Sequence, residues 1–314
     1  LLHSFSTTFD LEELKKKNMT IIKSICIAVS LMLSLSCSSD NSSNTTQDPV
    51  TENPQEEPQN LEAEDIFDVS YGDHQQQAYD IYLPANRTTE ATKVILLIHG
   101  GSWTAGDKSD MNYFLPILQP QLSEYAIVNM NYVLANETTA AFPNQITDVG
   151  AVIEHVKNNA LEYHINPTFG VIGLSAGAHI GLQYTYAEDT NQDIKMACSV
   201  VGPVDFTDPY YSENPQFQFV NDLVDEDAYP TGTNFEEVLS PALQVSQQSV
   251  PTILFYGESD PLVPLSQANA INDALEANNV THQLTTYEGG HANWSLASYA
   301  NLQSKLSTFI NEHL

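Results

Sequence analysis

Positive charge is what this chain has least of: ten lysines and arginines stand against 40 aspartates and glutamates, a formal net charge of −30 over 314 residues. Four of the ten, Lys15, Lys16, Lys17 and Lys23, precede the apolar run from Ile25 to Leu35, so the rest of the chain is more acidic still. A phosphate backbone would be repelled by such a surface, which excludes nucleic acid as a partner. Cysteine is nearly as scarce. Cys26 and Cys37 fall in or beside that apolar run, which leaves Cys198 without a partner, and no disulfide is expected. The surrounding Met196 to Val201 reads as a buried strand in which a thiol acts as a small hydrophobe. Long apolar runs are missing too, because Ile25 to Leu35 is shorter than the ~20 residues that span a bilayer.

The lysines followed by this short apolar run have the order of a secretion signal. Leu33-Ser34-Leu35-Ser36-Cys37 resembles a bacterial lipoprotein signal, with small Ser36 before the cysteine and Ser34 where an aliphatic residue is usual. That resemblance implies a signal region over 1–37 with its start at Met19 and lipidation at Cys37. The alternatives are a plain cleaved secretory peptide or an uncleaved anchor. The protein is thus expected outside the cytoplasm, tied to a bacterial membrane through lipid alone or else secreted. Residues 38–62 are Ser, Asn, Thr, Gln, Glu and Pro with little apolar to bury, which reads as a disordered tether. A catalytic domain is expected over 63–314, its first strand near Ile66.

Glycine is also sparse, 14 in all, yet several crowd into three short motifs that follow apolar runs. Lys93 to Ile98 is continuously aliphatic, as in a strand covered on both faces, and ends in His99-Gly100-Gly101-Ser102-Trp103. Thr168 to Leu174 runs into Gly173-Leu174-Ser175-Ala176-Gly177, a strand, sharp turn and helix in which Ser175 would sit on a strained backbone. Val250 to Gly257 leads to Glu258-Ser259-Asp260, and His282 to Tyr287 leads to Glu288-Gly289-Gly290-His291. Asp260 is the preferred acid and Glu258 its local competitor. Asp148 lies early in a helical stripe opened by Pro143 (Ile146, Val149, Ile153, Val156, Ala160), so a capping or loop contact is expected of it. A hairpin over Ile66–Tyr71 and Gln77–Leu83, a strand over Tyr125–Tyr132 and a last helix carrying Tyr299, Leu302, Leu306 and Phe309 complete the pattern. Segment 207–247, with prolines and the aromatics Tyr210, Tyr211, Phe217 and Phe219, breaks periodicity. It reads as a cap or pocket-lining excursion, or equally as a rigid surface flap.

Ser175, Asp260 and His291, each past a strand and in that chain order, resemble the triad of the α/β-hydrolase superfamily. The loop His99 to Trp103, the run Asn131-Tyr132-Val133-Leu134-Ala135 and the acid and histidine loops narrow the resemblance. They point to the esterase branch related to hormone-sensitive lipase and to bacterial feruloyl and acetylxylan esterases, the BD-FAE-like carboxylesterases. The resemblance implies an α/β fold with a mostly parallel eight-stranded sheet and helices on both faces. Two positions depart from the pattern: Ser102 stands where many lipase relatives have a third glycine, and Val133 where an arginine is common after Asn-Tyr.

The chemistry expected is an acyl-enzyme reaction. His291 takes the proton of Ser175, Asp260 holds the imidazole, and the amides of Ala176 and of Gly101 or Ser102 receive the oxyanion. His99, Gly100 and Trp103 would support that loop, His99 as its organiser rather than as the base. No metal or organic cofactor is needed. The expected activity is hydrolysis of small acyl or aryl esters, including acylated carbohydrate. A serine peptidase or amidase is the alternative within enzymes, and a catalytically silent surface binding protein the alternative outside them. Protein partners and oligomeric state are not legible.

Overall fold

The computed structural model describes residues 61–118, 122–213 and 218–314. The signal region, Cys37 and nearly all of the 38–62 segment lie outside the described residues.

Continuous apolar runs became central strands, and the hairpin with partial alternation lies at one end of the sheet, with its first strand as the edge and its second inside it. β1 (Glu64–Ser70) is largely exposed, whereas β2 (Ala78–Leu83), β3 (Val94–Ile98), β4 (Ala126–Met130), β5 (Phe169–Leu174), β6 (Ile194–Val200) and β7 (Thr252–Gly257) are almost wholly buried. β8 (His282–Tyr287) closes the far edge at intermediate burial. The sheet order is β1-β2-β4-β3-β5-β6-β7-β8. β2 runs antiparallel to both β1 and β4, and all later pairs are parallel. This is the α/β-hydrolase sheet that the motifs imply.

Four helices matter to the site: α1 (Asn144–Asn158), α2 (Ala176–Gln183), α3 (Leu265–Ala277) and α4 (Leu296–His313). They cover both faces of the sheet, and the alternation of β3 shows how. Val94, Leu96 and Ile98 pack in one core with Ile146, Val149 and Ile153 of α1, while Ile95 and Leu97 pack in another with Leu302, Leu306 and Phe309 of α4. A third cluster seats Ala268, Ile271 and Leu275 of α3 on Leu254 and Tyr256 of β7. Such two-sided burial is what a parallel sheet requires. Among the described residues no helix is long and apolar enough to cross a membrane.

One local reading changes. Ala160 does not extend the α1 stripe: the helix ends at Asn158 and Ala160 starts a separate short turn, Ala160–Tyr163. α2 is α-helical to Gln183 and continues as a π turn, Tyr184–Glu188.

Candidate active site

β5 delivers Ser175 to the carboxyl edge of the sheet, and the turn onto α2 is so tight that Ser175 takes φ 53° and ψ −120°. Two glycines make this approach possible. A Cβ on Gly173 would lie 2.4 Å from the Cα of Ala178, and one on Gly177 would lie 2.3 Å from the carbonyl oxygens of Ile98 and His99. The Ser175 amide donates to the Val200 carbonyl at 2.8 Å, which ties the turn to β6. The hydroxyl is left facing out of the sheet.

The parallel strands carry the partners to the same edge. His291 follows β8 on a glycine loop, and its Nε2 lies 2.8 Å from the Ser175 Oγ. Its Nδ1 lies 2.7 Å from Oδ2 of Asp260, whose side chain is fully buried. The other carboxylate oxygen accepts the amides of Leu262 and Val263 at 2.8 and 3.0 Å. Asp260 is thus fixed by its own loop before it meets the imidazole. Glu258, the competing acid, is exposed and accepts only the Thr286 hydroxyl at 3.2 Å. The histidine loop is held in turn by Asn293, whose Oδ1 accepts the Gly290 amide at 2.7 Å, and by the Trp294 indole, which donates to the Gly290 carbonyl at 3.1 Å.

The third wall is the loop after β3. Gly101, Ser102 and Trp103 all have positive φ, at 119°, 50° and 63°, which turns successive amides away from ordinary loop pairing. A Cβ on Gly101 would meet the Ala105 carbonyl at 2.0 Å, so this position admits glycine alone. His99 is buried and stacked on Tyr132 with ring centroids 4.3 Å apart. Its Nδ1 donates to the Gly100 carbonyl at 2.6 Å, and burial lowers its basicity. The Tyr132 hydroxyl donates to the His99 carbonyl at 3.0 Å. The Nδ1 of His99 is thus committed to the loop backbone.

Ser102, Trp103, Ser175, Ala176 and His291 border one small cavity of about 60 Å³, closed by Pro203, Phe206, Tyr211, Leu262 and Val263. Gly101 does not border it; Ser102 and Ala176 do, the latter as the first residue of α2, whose amide has no partner inside the helix. Apolar side chains and two tyrosine or tryptophan rings make this a pocket for a short apolar group next to a polar reacting centre.

Segment 207–247 divides in its use. Tyr211 lines the cavity, and its hydroxyl donates to the Leu262 carbonyl at 3.1 Å, while the Tyr210 hydroxyl donates to Pro261 at 2.6 Å. The excursion therefore clamps the acid loop as well as covering the pocket. Phe217 and the side chain of Phe219 lie outside the described residues; Phe206, just ahead of the segment, supplies an aromatic wall instead.

Several buried polar residues were not singled out from the sequence. The Gln145 amide donates to the carbonyls of Trp103 and Val133 at 2.7 and 2.9 Å, stapling the two loops together. This supplies near the oxyanion loop the bridging that Val133, lacking a guanidinium, cannot. His179, fully buried on α2, accepts the Trp103 indole at Nδ1 and donates from Nε2 to the Leu239 carbonyl at 2.8 Å. Gln267 accepts the amides of Val204 and Asp205 at 2.8 Å and donates to Asp208. Each is a glutamine or histidine inside an apolar helical stripe, which was the available signal. Asp148 makes the loop contact expected of it, accepting Gln77 at 2.7 Å and the Val133 amide at 2.8 Å. Cys198 is buried and free, and burial raises its thiol. Among the described residues no group of three or more His, Cys, Asp or Glu side chains is placed to hold a metal ion.

Comparison with known proteins agrees with this geometry. The BD-FAE family model matches residues 79–275. The esterase LipQ of Mycobacterium tuberculosis is 26% identical over 217 residues, 65% of this chain and 51% of that protein. The isoprenylcysteine alpha-carbonyl methylesterase ICME of Arabidopsis thaliana is 25% identical over 240 residues, 70% of this chain and 55% of that one. The chain thus spans about half the length of the curated relatives it matches. Among solved structures, a truncated carbohydrate esterase from gut microbiota has a TM-score of 0.64 at 19% identity, covering 80% of this chain and 98% of that one. An acetyl ester-xyloside bifunctional hydrolase from Caldicellulosiruptor lactoaceticus has a TM-score of 0.60 at 18% identity, covering 82% and 98%. At such identities the likeness is one of fold.

Proposed function

The chain belongs to the BD-FAE family, and from that premise we propose that it is a serine carboxylesterase that removes short acyl groups from esters through an acyl-enzyme. The observation that carries the reading is the unbroken chain from Ser175 Oγ through both nitrogens of His291 to Asp260, at 2.8 and 2.7 Å.

In the proposed reaction His291 Nε2 takes the Ser175 proton as Oγ attacks the ester carbonyl. Asp260, acceptor at Nδ1, selects the tautomer that leaves Nε2 free to do so and stabilises the imidazolium. The carbonyl oxygen gains charge between the amides of Ala176 and Ser102, with Gly101 setting the loop's turn. Loss of one such donor costs about 3 kcal/mol of transition-state stabilisation. The imidazolium then protonates the departing alkoxide, and water attacks the acyl-enzyme with His291 again as base. The cavity of about 60 Å³ beside Ser175 favours an acetyl-sized acyl group over an aromatic one.

For the alcohol we carry over the class named for two proteins of the same fold, a carbohydrate esterase and an acetyl ester-xyloside hydrolase: a hydroxyl of a saccharide. Export and lipidation at Cys37 are part of the same proposal and rest on the order of lysines, apolar run and Ser36-Cys37. An enzyme trimming sugar esters outside the cell would gain from such a tether.

The full chain is to be incubated with p-nitrophenyl acetate, acetylated xylan, methyl ferulate and a dipeptide amide, and with a fluorophosphonate probe. Acetate release together with labelling that disappears in Ser175→Ala supports the proposal. Absence of both, or faster amide than ester cleavage, sinks it. Radiolabelled palmitate that stays on the Cys37→Ala protein would refute lipidation there.

A further inference from the structure

A second, larger cavity lies against the outer side of α1 and has no lining residue in common with the one at Ser175. Its volume is about 700 Å³, within the ~300–1,000 Å³ of small-ligand sites. α1 forms one wall, the π turn that ends α2 forms another, and the 229–244 part of the excursion forms the third.

The site is built rather than incidental. Gly150 on α1 leaves room for the Tyr184 ring, since a Cβ there would come within 2.9 Å of it. The π turn that carries Tyr184 and Glu188 is a helix irregularity of a kind frequent at functional sites. Gln183 is 3% exposed and lines the cavity. Its Nε2 is spent on the Val238 carbonyl at 2.8 Å, while its Oε1 has no hydrogen-bond partner among the described residues. That oxygen is closed to solvent, so Gln183 stiffens the wall through its bond to the excursion.

The chemistry of the walls narrows the ligand. No described lining residue is a lysine, arginine or histidine, and Glu154 and Glu188 are carboxylates, so anions are excluded. Tyr184 and Tyr229 offer aromatic rings; Glu154, Glu188 and the Thr147 hydroxyl, whose proton goes to the Pro143 carbonyl, offer acceptors; Asn191 offers donors. Apolar ring faces beside hydroxyl-seeking acceptors match a pyranose, which presents C–H bonds on its faces and hydroxyls at its rim.

We propose that the cavity between α1, the π turn and residues 229–244 is a binding site for a neutral oligosaccharide, separate from the Ser175 site. The choice of sugar rather than another polyol rests on the reading of the chain as an esterase of saccharide esters. In that setting the cavity holds an unesterified stretch of the same polymer while an ester elsewhere on it reaches Ser175. The floor of the cavity is also the contact of α2 with the excursion: Leu239, which lines it, accepts His179, and His179 accepts Trp103 at the mouth of the acyl pocket.

The test is calorimetric titration of the full chain carrying Ser175→Ala with xylotetraose, cellotetraose and mannotetraose, and with trigalacturonate as the anionic control. Binding of at least one neutral sugar with Kd of about 1 mM or tighter, and at least tenfold weaker binding of trigalacturonate, is expected. Tyr229→Ala, which removes a stacking face, and Ala187→Trp, which fills the cavity from an exposed position, should each weaken neutral-sugar binding about tenfold or more. Ala187→Trp in the chain that retains Ser175 should leave p-nitrophenyl acetate turnover unchanged. No neutral sugar bound, binding unchanged in Ala187→Trp, or preference for trigalacturonate would each overturn the proposal. Turnover of p-nitrophenyl acetate without sugar binding refutes this site alone, and sugar binding without turnover refutes the esterase alone.

Discussion

The indole N–H of Trp103 donates to Nδ1 of His179 at 3.2 Å, both residues being buried, so the loop after β3 is pinned to α2, the helix that follows Ser175. The same imidazole donates to Leu239, and neither nitrogen can be dropped without orphaning a buried group on its partner. His179→Leu is therefore expected to lower stability by about 2–4 kcal/mol, the cost of two unpaired buried groups. Because Trp103 borders the acyl pocket, kcat for p-nitrophenyl acetate should fall more than KM rises. Thermal denaturation and steady-state kinetics check both halves.

His179 also sets a pH dependence. Complete burial lowers its pKa from 6.5 to about 4, offset in part by its bond to Leu239. The unfolded chain therefore binds a proton that the folded chain refuses, and stability rises with pH across that interval. The contribution is full above about pH 6.5, declines as pH falls and is gone below about pH 4, a span worth roughly 3 kcal/mol. Denaturant midpoints at several pH values should slope upward through the window in the wild type, and the slope should flatten in His179→Gln. An unchanged slope would remove His179 from the account.

Ser175 stores backbone strain at φ 53°. Replacing its side chain with hydrogen relieves that strain, at some cost in unfolded-chain entropy. Ser175→Gly should abolish ester turnover, a loss of up to ~10⁶ in kcat, yet unfold at higher denaturant, by about 1 kcal/mol. Ser175→Ala, which keeps a Cβ on the same strained turn, should be equally inactive without that gain. Equal stability of the two variants would mean the turn is unstrained.

Two carboxylates follow β7, and the structure distinguishes them by what holds them. Asp260 is buried with two amides and His291 as partners; Glu258 is exposed. Asp260→Asn keeps the amide acceptor at one oxygen but offers His291 the wrong tautomer, so kcat should drop about 10⁴-fold. Glu258→Gln should stay within about twofold of wild type, as expected of an exposed residue. Steady-state kinetics on the pair decides which acid serves.

The proposed reacting residues stand out in the sequence because each sits at the junction of an apolar run and a glycine turn, and both halves of that signal are local. Strand identity was legible for the same reason: β3 is aliphatic and most of β7 is apolar, both without alternation, as two-sided burial requires. What could not be read were the long-range links. Gln145, His179 and Gln267 act through backbone groups 42 or more positions away in other loops, except for the nearer Gln145 bond to Val133, and nothing in their own neighbourhood names those partners. The π turn at the end of α2 was not legible either, because Tyr184 fits an apolar helical stripe whether the turn is α or π; the Gly150–Tyr184 contact across two helices is where the difference lies. Phe206 was passed over in favour of later aromatics because proximity to the site depends on where the chain turns after β6.

Phe206 now gives the sharpest handle on the acyl group. It is 3% exposed, stands edge-on to Trp103 with centroids 6.0 Å apart, and closes the cavity of about 60 Å³ beside Ser175. On the proposed reading acetyl esters fit that space, whereas butyryl and hexanoyl esters must displace a wall. In the wild type kcat/KM is therefore expected to fall with each lengthening of the acyl chain. Phe206→Ala removes the ring and should invert the order, raising hexanoate turnover relative to acetate by roughly 10–200-fold, the range that a methylene or two commands in an apolar pocket. The same change should cost about 3–5 kcal/mol of stability, since the ring is packed on Trp103, His179 and Tyr211. Phe206→Leu is the milder companion, with a smaller shift in the same direction. An acyl profile that both variants leave unmoved would place the acyl group elsewhere, towards the open side of Leu262, and make Phe206 a packing residue only.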